Sequence, residues 1–266
     1  MEAINKYYFN DEKIVSTDQF IDDKDKSNII YEVLRVINGN PVFFKEHFER
    51  MEESFHIVNK EFNITYDEMF NYVTDVIKAN NIEGNIKITY NIKTDVLNIY
   101  YIKHSYPTEE MYLKGVKTIL YYGERENPNA KIVNKEFREK INLKLKESGA
   151  FEAILVDRYG CITEGSKSNI FAIKDNTLIT AKGEVVLKGV TRAKIIDIAK
   201  DLGVEIEEKK IKVEEIKEFD SMFISGTSPK ILPIKSVDEM KFNIDNEIMK
   251  KIMLEYDKKI KKISKY

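Results

Sequence analysis

The sequence predicts an α/β (α+β) chain in two domains: a small N-terminal α/β domain over residues 1–106, and a larger C-terminal domain with a mixed sheet over residues 107–266. Three observations predict it. Apolar runs of strand length alternate with stretches of helical periodicity along the whole chain. The pair Asn38-Gly39 stands between two apolar runs, the strongest short-range hairpin signal. The polar, proline-bearing stretch HSYPTEEMY, from His104 to Tyr112, interrupts the pattern and places the boundary.

The first domain opens with KYYFN and IIYEVLRVI, both strand-like. Asn38-Gly39 then turns the chain into PVFF. KEHFERMEESFHIV reads as a helix because Phe48, Met51, Phe55 and Val58 recur at helical spacing. Thr65 and Glu68 form a capping box ahead of Met69, Val73, Val76 and Ile77, so a second helix begins near Tyr66. NIKITYNI and VLNIYYI alternate as the two strands of a hairpin. In the second domain, VKTILYY is a strand and GERENPNAK is irregular. NKEFREKINLKLKESG is a helix that Gly149 stops. FEAILVD, NIFAI and NTLIT are strands, with RYG as a turn. GVTRAKIIDIAKDLG is a helix between Gly189 and Gly203. DSMFISGTSPKILPI reads as strand, small-residue turn, strand. The last helix runs from about Asp245 to Ile263, with Ile248, Met249, Ile252, Met253, Tyr256 and Ile260 on one face.

Composition excludes several classes. The signs of the 33% charged residues nearly cancel, to a net charge of −2, so there is no basic field for nucleic acid. The Lys-rich stretch Lys258 to Lys265 reads as a solvated helix face. The single cysteine, Cys161, rules out an internal disulfide, and three scattered histidines form no ligand pair, so no metal is expected. MEAINKYYFNDEK has no apolar segment of a signal peptide, and no run reaches the length of a membrane span. A cytoplasmic protein is the expectation.

Three loops in the second domain share one design. TEGSKSN, KGVTR and SGTS each place Gly, Ser or Thr at an element end, where backbone N–H groups and hydroxyls are free. KGVTR also opens a helix, whose N-terminus favours an anion. Thr191 and Thr227 each add a hydroxyl, which makes a phosphate cradle without a P-loop. No GxxxxGK[ST] or GxGxxG accompanies them. Glu164 stands among these small residues, just ahead of an apolar strand. Any one of the loops alone is an ordinary turn.

In order, YEVLRVINGNPVFFKEHFERMEES, VDRYGCITEGSKSNIFAIKDNTLIT, LKGVTR and FISGTSPKILPI resemble the class IV aminotransferases. These are fold type IV enzymes dependent on pyridoxal 5'-phosphate (PLP), and they include branched-chain aminotransferases, D-amino-acid transaminase and aminodeoxychorismate lyase. The likeness spans roughly residues 28 to 240, with four motifs in the family's order. It implies a two-domain fold type IV enzyme with PLP as cofactor, working as a homodimer. Glu164 would face the pyridine nitrogen and keep it protonated. The Schiff-base lysine would be Lys131, which precedes Asn134 in a K-x-x-N pattern and stands 21 positions before Glu152, as in the D-amino-acid transaminase branch. Its rivals are Lys135 and Lys140, both in the helical run. Arg50 matches the arginine that binds the PLP phosphate, joined by the N–H groups of Val190 and Thr191 and the hydroxyls of Thr191 and Thr227. Ser168 and Asn169 flank the ring-side loop. Tyr31 matches the aromatic of the substrate pocket, and Tyr106 is placed in the same pocket.

The chain departs from the family at three points. KDKSNIIYE replaces a Gly-Asp-Gly-like turn ahead of the YE motif. No arginine follows ITYNIKT to take an α-carboxylate, as D-amino-acid transaminases require. Where branched-chain enzymes carry a strand arginine and a tyrosine after the Asn, this chain has Lys87 and Lys135. Lys87 is either a partner for a substrate's side-chain carboxylate or an exposed strand lysine. The expected reaction is transfer of an amino group between an amino acid, glutamate or a branched-chain one, and a 2-oxo acid. A 4-amino-4-deoxychorismate lyase, and a scaffold that has lost catalysis, are the rival readings.

Overall fold

The computed structural model describes residues 2–11, 13–22, 28–125, 128–132 and 134–263. The chain divides into two compact units: residues 1–105, 130–135 and 259–266 form the first, and residues 106–129 and 136–258 the second. Two short segments that the sequence places in the C-terminal domain therefore belong with the N-terminal one.

The first unit is a six-stranded antiparallel sheet with two helices. Its strands are β1 (Ala3–Asn10), β2 (Lys13–Ser16), β3 (Ile29–Ile37), β4 (Asn40–Pro41), β5 (Gly84–Asn91) and β6 (Val96–Ile102), in the order β2-β1-β6-β5-β3-β4. Asn38 and Gly39 both take positive φ, 49° and 74°, as the tight hairpin between β3 and β4 requires. Helix α1 (Phe44–Ile57) follows, then α2 (Tyr66–Asn80), which opens with the Thr65/Glu68 capping box. One face of the sheet and the apolar stripes of both helices share a core of Ile30, Leu34, Met51, Phe55, Val73, Val76, Ile86 and Ile99 among others. Strand periodicity puts Ile30, Glu32, Leu34 and Val36 on the same buried side of β3. A carboxylate thus enters the core wall by register alone.

The second unit is built on a mixed sheet. Its elements are α3 (Glu109–Lys114), β7 (Val116–Tyr122), α4 (Lys135–Ser148), β8 (Glu152–Val156), β9 (Cys161–Gly165), β10 (Asn169–Lys174), β11 (Thr177–Ala181), α5 (Val190–Asp201), β12 (Glu205–Lys209), β13 (Ile211–Lys212), β14 (Ser221–Gly226), β15 (Lys230–Val237), β16 (Met240–Lys241) and α6 (Glu247–Ile263). The first residue of α4 and the last turn of α6 fall in the first unit. The strand order is β12-β11-β10-β14-β15-β7-β8-β9-β13, with β16 on β15. The β15–β7, β7–β8 and β11–β12 pairs are parallel, and the other pairs are antiparallel. All five residues of β8 are buried, as a strand covered on both faces should be. Ala153 and Leu155 pack with Ile141 of α4, while Ile154 joins the larger core of Ile170, Ile224 and Leu232. Glu152 shares the strand face of Ile154.

The sequence reading of Glu164 as a loop acid is corrected here. Glu164 lies on β9, and only residues 166–168 form the turn into β10. CITEG mixes polar and small residues, so it lacks the apolar signature of a buried strand. The short strands β2, β12 and β13 were missed for the same reason: pairing, not local pattern, holds them. Helix α3 was missed although Thr108 caps it, its side chain accepting from the Met111 N–H. The stretch ahead of Tyr31 that lacks the family glycines falls largely on residues 23–27, outside the described residues, as does Lys265 of the Lys-rich stretch. Among the described residues, no helix is long and apolar enough to cross a membrane.

Ile86 is fully buried in the core of the first unit. Ile86→Ala should destabilise the protein by about 2–5 kcal/mol, the usual cost of a large-to-small core change. A urea unfolding midpoint equal to that of the wild type would show that this core does not carry the unit.

Candidate active site

The first unit carries Lys131 on a short segment docked along β3. The Tyr31 N–H donates to the Lys131 carbonyl at 3.1 Å, and Ile30 and Ile132 form an antiparallel bridge. The Lys131 N–H also reaches Ser54 Oγ on α1 at 3.4 Å. The segment is therefore held through its backbone. Lys131 Nζ stands 5.3 Å from the centroid of the Tyr31 ring, and Lys87 Nζ stands 5.1 Å from the same centroid. Cations at that range are attracted to the ring face.

Beside them, α1 presents a polar stripe at helical spacing: His47, Arg50 and Ser54, all buried. It meets Glu32 of β3. Arg50 donates to Glu32 in fork fashion, Nε to Oε1 at 2.7 Å and Nη2 to Oε2 at 2.5 Å. His47 Nδ1 lies 2.7 Å from Glu32 Oε2. Ser54 Oγ donates to the Arg50 carbonyl at 2.9 Å. Burial pushes the Glu32 carboxyl upward, yet the charges of Arg50 and Lys131 and the hydrogen bonds from His47 and Arg50 outweigh it. They hold Glu32 well below the usual carboxylate range. His47 goes the other way from its usual value: burial lowers it, the nearby Arg50 and Lys131 lower it further, and Glu32 compensates only in part.

The second unit carries the three small-residue loops. Glu164 is buried, and its two oxygens are held separately. Oε2 accepts from the Leu187 N–H at 3.1 Å, and Oε1 faces Arg125 Nε at 3.1 Å. Arg125 Nη2 donates in turn to the Ser166 carbonyl at 2.9 Å. Asn169 Nδ2 donates to the Leu187 carbonyl at 2.9 Å, so the 187–191 segment is pinned beside β9 and β10. A Cβ on Gly189 would overlap Asn169 Oδ1, and one on Gly165 would overlap Ser168 Oγ. A side chain at either glycine would displace a neighbour that is itself hydrogen-bonded, Asn169 to the Leu187 carbonyl and Ser168 to Glu152. Gly189 caps α5, and Val190 and Thr191 occupy its first turn with their backbone N–H groups at the helix start. Thr191 Oγ1 lies 3.3 Å from the Tyr256 hydroxyl of α6. The turn bearing Thr227 is adjacent: Ser225 pairs with Asn169, and Gly226 lies beside the Lys167 carbonyl. Ser225 Oγ is buried without a hydrogen-bond partner among the described residues.

The structure thus brings Glu164, Asn169, Val190, Thr191 and Thr227 around one set of turns, with Ser168 on the turn that follows Glu164. It brings Tyr31, Lys87 and Lys131 together in the first unit, next to Arg50 and its partners. The rival lysines stand on the exposed surface of α4, where Lys140 pairs with Glu136 at 2.7 Å. The reading of Lys87 as an exposed strand lysine does not hold. Lys87 is 7% exposed and pairs with Glu2 at 2.5 Å. Tyr106, half-buried, belongs to the second unit ahead of α3. Sequence reasoning missed Glu32, His47, Arg125 and Glu152. The spacing of His47, Arg50 and Ser54 along an otherwise apolar helix face was the available signal for His47, and an acid on the apolar side of the β3 alternation was the signal for Glu32. Arg192, in the KGVTR motif, is structural, since its guanidinium bonds to the Ala181 carbonyl and Glu208.

Comparison with known proteins gives a consistent picture. The sequence pattern of a family described as amino-transferase class IV matches residues 29–237. A probable branched-chain-amino-acid aminotransferase of Rickettsia bellii is 30% identical over 251 residues, covering 87% of this chain and 86% of its own. A D-alanine aminotransferase of Staphylococcus epidermidis is 28% identical over 264 residues, covering 88% and 90%. The crystal structure of the Escherichia coli branched-chain amino acid aminotransferase superposes with a TM-score of 0.86 at 23% identity, covering 96% of this chain and 94% of that one.

The buried histidine sets a pH dependence. With its native pKa lowered by burial, His47 takes up its proton at a lower pH in the fold than in the unfolded chain, which begins to do so near about pH 6.5. Stability should therefore fall as pH drops from 7 to 5, by up to about 1.4 kcal/mol per pH unit from this group. Glu32 contributes its own loss only at lower pH, since its native pKa is depressed and the unfolded value is near 4.3. Urea unfolding of His47→Gln between pH 7 and 5 should give a shallower slope than the wild type. An identical slope would mean that His47 is not the group responsible.

Proposed function

The chain belongs to the class IV aminotransferases and is a PLP-dependent transaminase, and from that premise we propose a substrate pair and a role for each residue. The amino group passes between an amino acid, glutamate or a branched-chain one, and a 2-oxo acid. The transaminase names of the relatives favour amino transfer over the lyase reaction. The protein would work as a cytoplasmic homodimer. Size-exclusion chromatography with light scattering checks the oligomer.

The donor set fits PLP by its chemistry. Lys131 offers an amine for the aldehyde, Glu164 a carboxylate for the ring nitrogen, and the α5 start with Thr191 offers donors for a phosphate. When bound, PLP supplies an electron sink for the negative charge that develops at the substrate Cα. Lys131 would hold the cofactor covalently, and its amine would carry the proton away from the substrate Cα as general base and return it as general acid. Tyr31 and the Lys131 backbone contacts would limit where that amine can reach. Glu164 would keep a proton on the ring nitrogen. Arg125 and the Leu187 N–H would keep Glu164 itself aimed. Arg50, with its fork oriented by Glu32, would serve the phosphate, as would the N–H groups of Val190 and Thr191 and the Thr191 and Thr227 hydroxyls. Ser168 and Asn169 would shape the ring-side wall. Tyr31, Lys87 and Tyr106 would contact substrate.

The observation that carries the proposal is the placement of Lys131. Of the three candidate lysines, it alone lies outside α4, on a segment with backbone bonds to β3 and α1.

Two measurements test the reading. Protein loaded with PLP should show a visible absorption band that bleaches on adding glutamate, as the cofactor passes to its pyridoxamine form. A band indifferent to glutamate but bleached by a branched-chain amino acid would reassign the donor, and indifference to both would overturn the substrate proposal. Lys131→Ala should lose at least about a thousandfold in turnover while keeping a native far-UV spectrum, since it removes both the covalent anchor and the general base. Full activity in that variant would exclude Lys131 and move attention to Lys135.

A further inference from the structure

We infer that Glu152 is a positioning residue of the cofactor site: its buried carboxylate builds the Ser166–Ser168 turn and, through Ser166 and Arg125, sets the aim of Glu164. The inference rests on the proposed role of Glu164 at the ring nitrogen. Glu152 lies outside the loop motifs, on β8, and is only 4% exposed. A carboxylate so buried is costly unless donors surround it. Nearly all of its donors come from one turn. Oε1 accepts from Ser166 Oγ at 2.6 Å and from the Ser166 N–H at 3.1 Å. Oε2 accepts from Ser168 Oγ at 2.9 Å and from the Lys167 N–H at 3.2 Å. Its own neighbour adds the Ala153 N–H at 2.9 Å.

The turn so gripped has no slack. The Gly165 N–H donates to the Ser168 carbonyl at 2.7 Å, and a Cβ on Gly165 would displace the Ser168 hydroxyl that Glu152 holds. Ser166 is the hub. Its carbonyl receives Arg125 Nη2, and the same guanidinium presents Nε to Glu164. Arg138 Nη1 approaches Ser166 Oγ at 3.5 Å from α4. A continuous chain of contacts therefore runs from Glu152 to Ser166, to Arg125, to Glu164. Because the guanidinium is planar, moving the Ser166 carbonyl moves the Nε that faces Glu164. The Leu187 N–H holds the other oxygen and sets the second anchor of the carboxylate.

The test uses apoprotein titrated with PLP, followed by the pH response of the bound cofactor's visible band. Glu152→Gln preserves shape but leaves only one acceptor oxygen, so the Lys167 N–H loses its partner. A native far-UV spectrum is expected, with PLP affinity weaker by about tenfold, the equivalent of one lost charge-assisted hydrogen bond. The pH response of the band should shift in the direction seen with Glu164→Gln. Ser166→Ala, which cuts the hydroxyl link and leaves Glu152 intact, should shift both readouts the same way by less, and it carries the test alone if Glu152→Gln does not fold. A Glu152→Gln protein that melts earlier but binds PLP with wild-type affinity and pH response would overturn the inference, because Glu152 would then be structural only. A Glu164→Gln protein with the wild-type pH response would instead remove the ring-nitrogen reading, and the inference with it. A shifted Glu164→Gln beside an unshifted Glu152→Gln separates the two cases.

Discussion

A carboxylate taken out of water must be given donors, and that constraint shapes both units. Glu32, Glu152 and Glu164 are each at most 4% exposed. Leaving one such charge unpaired costs about 3–5 kcal/mol, more than the roughly 1.5–3 kcal/mol that burying one large apolar side chain contributes. The chain therefore cannot place these acids by hydrophobic packing alone. Glu32 is answered by a fork from α1, Glu152 by a turn of serines and backbone N–H groups, and Glu164 by Arg125 and the Leu187 N–H. In each case the acid stands on a strand and its donors come from a helix, a turn or a loop. The acids thereby tie the irregular segments to the sheets.

This is also how rigid sheets pass their order on to functional groups. The Lys131 segment has little regular structure, yet it is bonded to β3 at Tyr31 and Ile30 and to α1 at Ser54. Arg50 is a long, entropically costly side chain, and the Glu32 fork with His47 beside it removes most of that freedom before any ligand arrives. Gly165 and Gly189 serve the same end in the second unit, because the turns close up where their side chains would have been. Such ordering is completed during folding and not on contact with a ligand.

Much of the fold was legible because its signals are local. The Asn38-Gly39 hairpin, the Thr65/Glu68 capping box, the helix stop at Gly149 and the apolar stripes of α1, α2 and α6 each depend on residues within a turn or two of one another. The strand of Glu164 was not legible. CITEG earns burial from its neighbours β8 and β13, and from the turn that Glu152 holds, all distant in sequence or off the motif. The short β12 and β13 are likewise made by pairing, with β11 and β9.

The sequence by itself determined which chemistry is present: an amine at Lys131, an acid at Glu164, an arginine at Arg50, and small-residue loops opening a helix at Val190. Those follow from residue type, order and spacing along the chain. Only the tertiary structure decided which groups support them. The pairing of Glu32 with Arg50 and His47, of Arg125 with Glu164, and of Glu152 with the serine turn joins residues 14 to 39 positions apart across different elements. No local periodicity encodes such pairs. They arise from strand register, helix docking and the free-energy cost of leaving a buried charge without a partner.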